Sequence, residues 1–414
     1  MQDGRLDATE VEERGGAATV KVAFPYPSYW PYVRRGAERC IHDLAGYLGR
    51  QGHDVEIITS TPGRPRTVFE GDVKVTYLRQ INHPLMYQYL PRGRIATYGV
   101  DASRYLLGHR PDVAHLMSFS SINYAPALRR WLDMPFAFHV IMTNHYWDTR
   151  YQRLVFSNLV RSADIVFALT HGGAEEVTAE FGVPCEVLPP PVDTEHFRPW
   201  GQRNHERPIV LYPADLADVR KGAMLLFKAW NRVHAECPSA VLALAGPVGM
   251  AGYSQDRGEK VLRQLAYVRD PRARAQIEFW GPGDSEGLPR WYSEAAVTVL
   301  PSVEEAFGMV LVESLACGTP VVGSAFNGPG EIITDPKVGA TIGLHHWSDL
   351  GNDKFVDELA SSILTAIDLS RRPETVDACR KHATHWSLER VGPHAEAMLT
   401  SILGARRHSR KQAA

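Results

Sequence analysis

A chain of 414 residues is too long for one ordinary hydrophobic core, so two or more domains are expected. Hydrophobic residues make up 44% of it and charged residues 22%, which is typical of a globular protein. The formal net charge of -2 gives no overall basic field, so neither nucleic acid nor an anionic membrane is expected as a partner.

The N-terminus and the cysteines indicate a cellular compartment. Residues 1–17 are acidic and polar, unlike a signal peptide, and we expect them to form a disordered leader. No apolar run approaches the roughly 18 residues that a membrane-spanning helix requires. The five cysteines are scattered and never form a Cys-x-x-Cys pair. These features predict a reduced, cytoplasmic protein without a transmembrane segment.

Apolar strands alternate with helical patterns through the first half of the chain. A strand is predicted from Thr19 to Phe24, followed by a loop and by a helix whose apolar residues recur at helical spacing. This helix closes at Gly52 and returns to a strand, which completes a βαβ unit. Further strands are predicted at "DVAHLM", "PFAFHVIM", "DIVFALT" and "CEVLPP". Residues 18–200 are therefore predicted to form an N-terminal Rossmann-like domain.

A second series of strands begins at "PIVLYPA" and continues through "AVLALAGP", "QIEFWGPG", "AVTVLPS" and "TPVVGS". Buried strands that alternate with helices predict parallel sheets covered on both faces. The polar segment from Asp193 to Pro208 is interpreted as the linker, and residues 208–385 as a C-terminal Rossmann-like domain. A helix at 386–404 is expected to pack back on the first domain, before a disordered tail at 405–414. The predicted fold class is α/β, with two domains that face each other across a cleft.

The segment "PSVEEAFGMVLVESLACGTPVV" follows one of these strands, at the edge where open parallel sheets bind ligands. Glu305 is predicted in the loop, and Gly308 permits a tight turn before a helix that carries Glu313. N–H groups in the first turn, around Phe307 to Val310, are unpaired and attract anions. A diphosphate on this turn, with the two carboxylates on sugar and ribose hydroxyls, suits a nucleotide sugar. The alternative is that these acidic residues only complement the helix dipole.

The pattern E-A-F-G-x4-E, followed by "SLACGTPVVGS" and "NGPGEII", resembles the E-x7-E signature of family 4 retaining glycosyltransferases, which have the GT-B fold. The resemblance implies that Glu305 contacts the donor hexose and Glu313 the ribose. The segment "ADLADVRKGAMLLFKAW" is similar to the family's turn in which an Arg and a Lys hold the donor diphosphate. Lys221 and Arg220 would be these cations. The Arg that the family usually has five residues before the Lys is Leu216 here.

Other parts of the family pattern are matched less fully. The family's Gly-Gly pair in the first loop corresponds to Arg35-Gly36, and Gly36 is expected to approach the donor closely. The segment around Gly281 lies where the family reads the base. A histidine near the reacting sugar is expected after a strand of the first domain. We prefer His145 for it, since His139 falls inside an apolar run and is more typical of a core residue.

The resemblance therefore implies transfer of a hexose-type group, with retention, from a nucleoside diphosphate sugar to a small-molecule, glycan or lipid-linked acceptor. Neither a cofactor nor a metal is expected, because the chain has no Asp-x-Asp triplet and no Cys/His metal spacing. The predicted catalytic residues are His145, Lys221 and Glu305. The predicted donor-binding residues are Gly36, Arg220, Lys221, Gly281, Glu305, Phe307, Gly308, Met309, Val310 and Glu313. The alternatives are a GT-B-fold nucleotide-sugar epimerase or phosphorylase, and a noncatalytic nucleotide-sugar-binding module.

Overall fold

The chain folds around two separate β-sheets. A computed structural model describes residues 19–29, 36–61, 63–79, 93–117, 125–141, 150–246, 261, 263–281, 283 and 287–413. The leader predicted for residues 1–17 and the predicted catalytic His145 lie outside these described residues.

The first sheet has the strand order β3-β4-β2-β1-β5-β6-β7-β8. Its strands are β1 (Lys21–Pro25), β2 (Asp54–Thr61), β3 (Arg66–Glu70), β4 (Val73–Arg79), β5 (Val113–Met117), β6 (Phe136–Val140), β7 (Ile165–Ala168) and β8 (Glu186–Val187). All neighbouring strands are parallel except β3 and β4, which form an antiparallel hairpin. This hairpin was not among the predicted elements; Gly71, with φ of 59°, allows the chain to turn back directly.

The helices of the first part are α1 (Gly36–Arg50), α2 (Gly93–His109), α3 (Ala125–Leu132), α4 (Arg150–Ser162) and α5 (His171–Phe181). Helix α1 buries Ile41, Leu44 and Leu48, whose spacing places them on one face against the sheet. Helix α5 is capped by the Thr170 side chain, which accepts a hydrogen bond from the N–H of Gly173. In the described ranges, no helix combines the length and the apolar character needed to cross a bilayer.

The second sheet is parallel throughout, with the order β11-β10-β9-β12-β13-β14. Its strands are β9 (Ile209–Tyr212), β10 (Val241–Leu244), β11 (Ile277–Phe279), β12 (Val297–Leu300), β13 (Val321–Ser324) and β14 (Gly339–Ile342). The helices are α6 (Ala223–Glu236), α7 (Pro271–Ala275), α8 (Gly287–Glu294), α9 (Met309–Ala316), α10 (Asn327–Ile332), α11 (Asp353–Ser370) and α12 (Glu374–Ala383), with 3-10 turns at Val219–Lys221, Trp347–Gly351 and Thr384–Trp386. Central strands such as β9 and β12 are almost fully buried, as expected of a parallel sheet between layers of helices.

The last helix, α13 (Leu388–Ala413), returns to the first domain. Its residues Val391, Ala395 and Leu399 join the core formed by α1 and the first sheet. Near them the imidazole of His53 lies 3.1 Å from the carboxylate of Glu396. The helix continues to Ala413, so residues 405–413 of the tail that was expected to be disordered are helical. That segment is rich in Arg, Lys, Gln and Ala, which favour helix.

Candidate active site

The order of the second sheet reverses between β9 and β12. From β9 the chain moves outward through β10 to β11 and then returns to the other side of β9, where it forms β12, β13 and β14. The segments after β9 and β12 therefore leave neighbouring strands in opposite directions. The crevice between them is where open α/β sheets bind ligands. Lys221 follows β9, and Glu305 follows β12.

Lys221 and Glu305 form an ion pair in this crevice. The Nζ atom of Lys221 lies 2.5 Å from Oε2 of Glu305, and their side chains are 25% and 13% exposed. Limited exposure reduces solvent screening, so each charged group holds the other in place. The crevice thus presents a cation and a carboxylate within reach of one ligand.

Backbone contacts fasten the two segments together. The hydroxyl of Ser302 and the N–H of Val303 both donate to the carbonyl oxygen of Arg220, at 3.0 Å each. Gly222 has φ of 74°, and a Cβ added there would collide with the carbonyl oxygen of Pro301. Only glycine meets both conditions at this position. These contacts set the geometry of the ion pair.

Arg220 directs its charge to a neighbour in its own turn. Its Nε and Nη2 atoms donate to the two carboxylate oxygens of Asp218, at 3.0 and 2.6 Å, and this pairing raises the pKa of Arg220. Leu216, where the resemblance led us to look for an arginine, is buried in the core. Lys221 rather than Arg220 is therefore the cation that contacts Glu305.

Helix α9 begins just after the segment that carries Glu305. Gly308 precedes the helix with φ of 97°, a value that favours glycine. Phe307 is buried, whereas Met309 and Val310 are half-buried. The first N–H groups of a helix have no partner within it and carry the positive end of its dipole. This turn adds to the positive potential around Lys221 and suits an anionic group.

The first domain approaches this turn through Gly36. Gly36 begins α1, and a Cβ added there would lie 3.4 Å from the Sδ atom of Met309. A larger residue would occupy the space between α1 and α9. The structure therefore brings two predicted donor-binding residues together from opposite sides of the cleft.

Glu313 lies one turn further along α9 and is 6% exposed. The hydroxyl of Tyr292 donates to its Oε2 at 2.8 Å. Burial raises the pKa of Glu313, while the nearby Arg39 guanidinium and the Tyr292 hydrogen bond oppose the rise. Tyr292 thus holds one carboxylate oxygen of Glu313, and a carboxylate can accept further hydrogen bonds.

Gly281 lies beyond the carboxyl end of β11, at the outer side of the same edge. Its φ is 75°, and an added Cβ would meet no atom within 4 Å. The rings of Trp280 and Trp291 stand beside it with centroids 5.4 Å apart. The position combines an open backbone with an aromatic neighbourhood, and it lies two strands away from Lys221 in the sheet order.

The histidines of the first sheet are buried together. His139 is fully buried in β6, and its Nδ1 atom lies 3.3 Å from Nε2 of His115 on β5. Phe24 and Phe167 surround the pair. Burial lowers the pKa of His139 to about 4 and lowers that of His115 well below its usual range. His139 is a neutral core residue, as its position in the apolar run indicated.

Three residues that position the site were missing from the sequence prediction, namely Asp218, Tyr292 and Arg39. Asp218 stands two residues before Arg220, and the Asp-x-Arg spacing in a turn was the available signal. Tyr292 and Arg39 reach Glu313 from α8 and α1, so no local pattern could reveal them. In the part of the chain that the structure describes, no three His, Cys, Asp or Glu side chains are grouped to hold a metal ion.

Two family models match successive parts of the chain. The model described as Glycosyltransferase Family 4 matches residues 34–196, and the model described as Glycosyl transferases group 1 matches residues 193–353. The boundary between them falls in the segment that connects the two sheets. The second match contains Lys221, Glu305 and Glu313.

Individual proteins are similar over different lengths. A D-inositol 3-phosphate glycosyltransferase from Kribbella flavida is 31% identical over 246 residues, which cover 56% of this chain and 55% of that protein. The chain thus spans about half the length of this curated relative. Sucrose-phosphate synthase from Thermosynechococcus elongatus superimposes with a TM-score of 0.76 at 19% identity, covering 93% of this chain and 99% of that one. The Anabaena protein HepE in complex with UDP-glucose superimposes with a TM-score of 0.67 at 17% identity, covering 92% of this chain and 100% of that one. These structures share the fold.

Proposed function

Because the chain belongs to the group 1 glycosyltransferases of the GT-B fold, we propose that it transfers a hexose-type group from a nucleoside diphosphate sugar to an acceptor hydroxyl, with retention at the anomeric carbon. One observation carries the proposal: the Lys221–Glu305 pair lies at the switch point of the second sheet, directly before the open first turn of α9. The nucleotide sugar in the Anabaena neighbour supports this class of donor.

In this proposal the donor diphosphate lies over the first turn of α9 and beside Lys221. On binding, Lys221 exchanges its contact with Glu305 for the phosphate oxygens, and the Glu305 carboxylate turns to the hydroxyls of the sugar. Glu313 accepts hydrogen bonds from the ribose hydroxyls. Each charged group then meets a ligand group of suitable polarity.

The transfer proceeds on one face of the sugar. The bond between the anomeric carbon and the diphosphate oxygen breaks, and its electron pair stays with the diphosphate. The acceptor oxygen forms its bond to the same face of that carbon, and its proton passes to the departing diphosphate. Lys221 and the N–H groups of α9 stabilise the charge that develops on the leaving group, so we propose that no metal ion is required.

The acceptor is proposed to bind on the first-domain side of the cleft, near Gly36 and the start of α1. A small molecule, a glycan or a lipid-linked head group with a free hydroxyl would fit the chemistry. The curated relative is named for D-inositol 3-phosphate and the structural neighbour for the synthesis of sucrose phosphate, and both are polar, hydroxylated compounds. They support a polyhydroxylated acceptor.

A donor screen tests the proposal. Purified protein is incubated with UDP-, GDP-, ADP- and TDP-sugars, with and without EDTA, and the released nucleoside diphosphate is measured. We expect one nucleotide to be preferred, slow release without an acceptor, no loss with EDTA, and the donor's anomeric configuration in the product by NMR. Binding without release for every acceptor would instead favour a noncatalytic module, and turnover of the donor into an epimer would favour an epimerase.

A further inference from the structure

A carboxylate of the second domain caps a helix of the first. Oε2 of Glu331 accepts the N–H of His171, and Oε1 accepts the N–H of Gly172, both at 2.9 Å. Glu331 lies on α10, whereas His171 and Gly172 form the first turn of α5. This two-pronged contact joins residues about 160 positions apart across the cleft.

The contact completes the capping of α5. The Thr170 hydroxyl accepts the N–H of Gly173 at 3.1 Å, and the two preceding N–H groups are satisfied by Glu331. A carboxylate at a helix N-terminus also interacts favourably with the dipole. If the domains separated, both hydrogen bonds from the N–H groups of His171 and Gly172 to the Glu331 carboxylate would break at once. The capping is therefore complete only in the closed arrangement.

Helix α10 is also packed directly onto the turn that begins α9. A Cβ added at Gly328 would collide with the backbone of Phe307, and one added at Gly308 would lie 3.6 Å from Cγ of Pro329. The absence of a side chain at Gly328 lets the backbones of α10 and the Phe307 turn touch. A shift of α10 would therefore move the Phe307–Gly308 turn, which is the anion-binding turn of the proposed function.

We propose that Glu331 is a positioning residue for transfer. Its two hydrogen bonds to the N–H groups of His171 and Gly172, here called the clasp, form when the domains close, and through α10 they hold the Phe307–Gly308 turn in its donor-binding geometry. The clasp is a contact between domains and does not depend on the reaction. Its effect on the donor rests on the proposed function. Breaking the clasp should open the cleft and weaken donor binding together.

Two variants break the clasp from opposite sides. Glu331→Gln removes the charge and one of the two acceptor oxygens. His171→Pro removes one N–H while keeping the helix, because proline is favoured at the first helical position. Thr170, with φ of -140° and ψ of 159°, already has the extended backbone that a residue before proline adopts. The side chain of His171 is exposed, so its loss costs little packing.

Three measurements test the proposal: hydrogen exchange of the peptide that spans the start of α5, the radius of gyration by small-angle scattering, and the kinetic constants for the donor. We expect each variant to speed amide exchange in that peptide, to enlarge the radius of gyration and to raise the donor KM about tenfold. In the double variant, amide exchange, the radius of gyration and the donor KM should change no more than in the stronger single variant, because both substitutions remove the same contact.

Glu358→Gln is the matched control, since Glu358 accepts the N–H of Gly343 at 2.9 Å within the second domain alone. It should leave the cleft and the donor KM unchanged. Unaltered exchange and radius in both clasp variants, or additive effects in the double variant, would overturn the clasp. If exchange and radius change while no donor is turned over by the wild type, the clasp stands and the proposed function fails.

Discussion

Ionisable groups stand in opposite environments in the two sheets, one pair at the carboxyl edge of the second sheet and the other inside the first. At the carboxyl edge of the second sheet, Lys221 and Glu305 form an ion pair across the switch point. At the first sheet, His115 and His139 are buried between aromatic rings, and burial lowers the pKa of both. A charged pair that remains partly exposed can exchange its partner for a ligand, whereas two neutral buried rings contribute to the core.

Ligand binding and stability depend on different regions of this molecule. The second edge places charges, an open helix turn and positive-φ glycines in one crevice, which are features of a site rather than of a core. The histidine pair of the first sheet is buried, so a ligand does not reach it. We therefore expect variants at the second edge to affect transfer and variants at the histidine pair to affect mainly stability.

Removal of either member of the charged pair should have the largest effect. Lys221→Met removes the cation proposed to stabilise the leaving diphosphate, and Glu305→Gln removes the charge proposed to position the sugar. By analogy with the loss of one transition-state donor, we expect kcat/KM to fall about 10²- to 10³-fold in each. Steady-state release of nucleoside diphosphate measures this, and circular dichroism checks the fold. A fall of less than threefold in both would remove the pair from the mechanism.

The turn that positions Lys221 should be the next most sensitive. Gly222→Ala forces a side chain into a left-handed backbone and against the Pro301 carbonyl, so we expect a loss of about 1–3 kcal/mol in the free energy of unfolding. Gly182→Ala is the matched control: φ is 66°, but no atom lies within 4 Å of the added Cβ. Chemical denaturation of the two variants separates the collision from the backbone strain. Equal losses would mean that the contact with Pro301 is unimportant.

Glu313→Gln should affect the donor more than the fold. The amide oxygen can still accept from Tyr292, but the charge-assisted bonds to the ribose are lost, so we expect the donor KM to rise about tenfold. Because burial raises the pKa of Glu313, the wild-type affinity should weaken as the pH falls through that raised pKa and the carboxylate is protonated. The Gln variant should lack this dependence. Donor KM values measured over a pH series, for the wild type and for Glu313→Gln, test this difference.

The histidine pair should give the smallest effect on transfer. Between the usual histidine pKa near 6.5 and the value of about 4 in folded His139, the unfolded chain binds more protons than the folded one. Stability is therefore full above pH 6.5 and falls as the pH drops toward 4. Replacing both rings in His115→Leu/His139→Leu should flatten this dependence and change kcat/KM less than threefold. Denaturation at pH 7.5 and pH 5 provides the measurement.

Local patterns in the sequence were sufficient for much of the fold. Buried strands such as β9 and β12 are continuous apolar runs, and their alternation with helices predicted two parallel sheets. The β3–β4 hairpin was missed although Val73, Val75 and Tyr77 alternate with more exposed residues around the Gly71 turn. Its sequence signal is an alternation of apolar residues at every second position over a short segment, which is weaker than the longer pattern of a βαβ unit.

The candidate site was predictable where one segment carries it. Glu305, Gly308 and Glu313 lie within one short stretch, so a single motif placed them around one helix start. Glu331 and its partners on α5 are about 160 positions apart, and only the folded chain brings them together. Arg220 is an intermediate case: the sequence places it beside Lys221, and its Asp-x-Arg spacing was a local signal for the pairing with Asp218 that the prediction did not include.

We expect the carboxyl edge of the second sheet, with Lys221 and Glu305, to bind the nucleoside diphosphate. Calorimetric titration with the nucleoside diphosphate released in the donor screen tests it directly, using the wild type, Lys221→Met and His115→Leu/His139→Leu. We predict that Lys221→Met weakens the affinity at least tenfold and that the histidine variant binds as the wild type does. An affinity of Lys221→Met equal to that of the wild type, with a loss only in the histidine variant, would show that Lys221 does not bind the diphosphate.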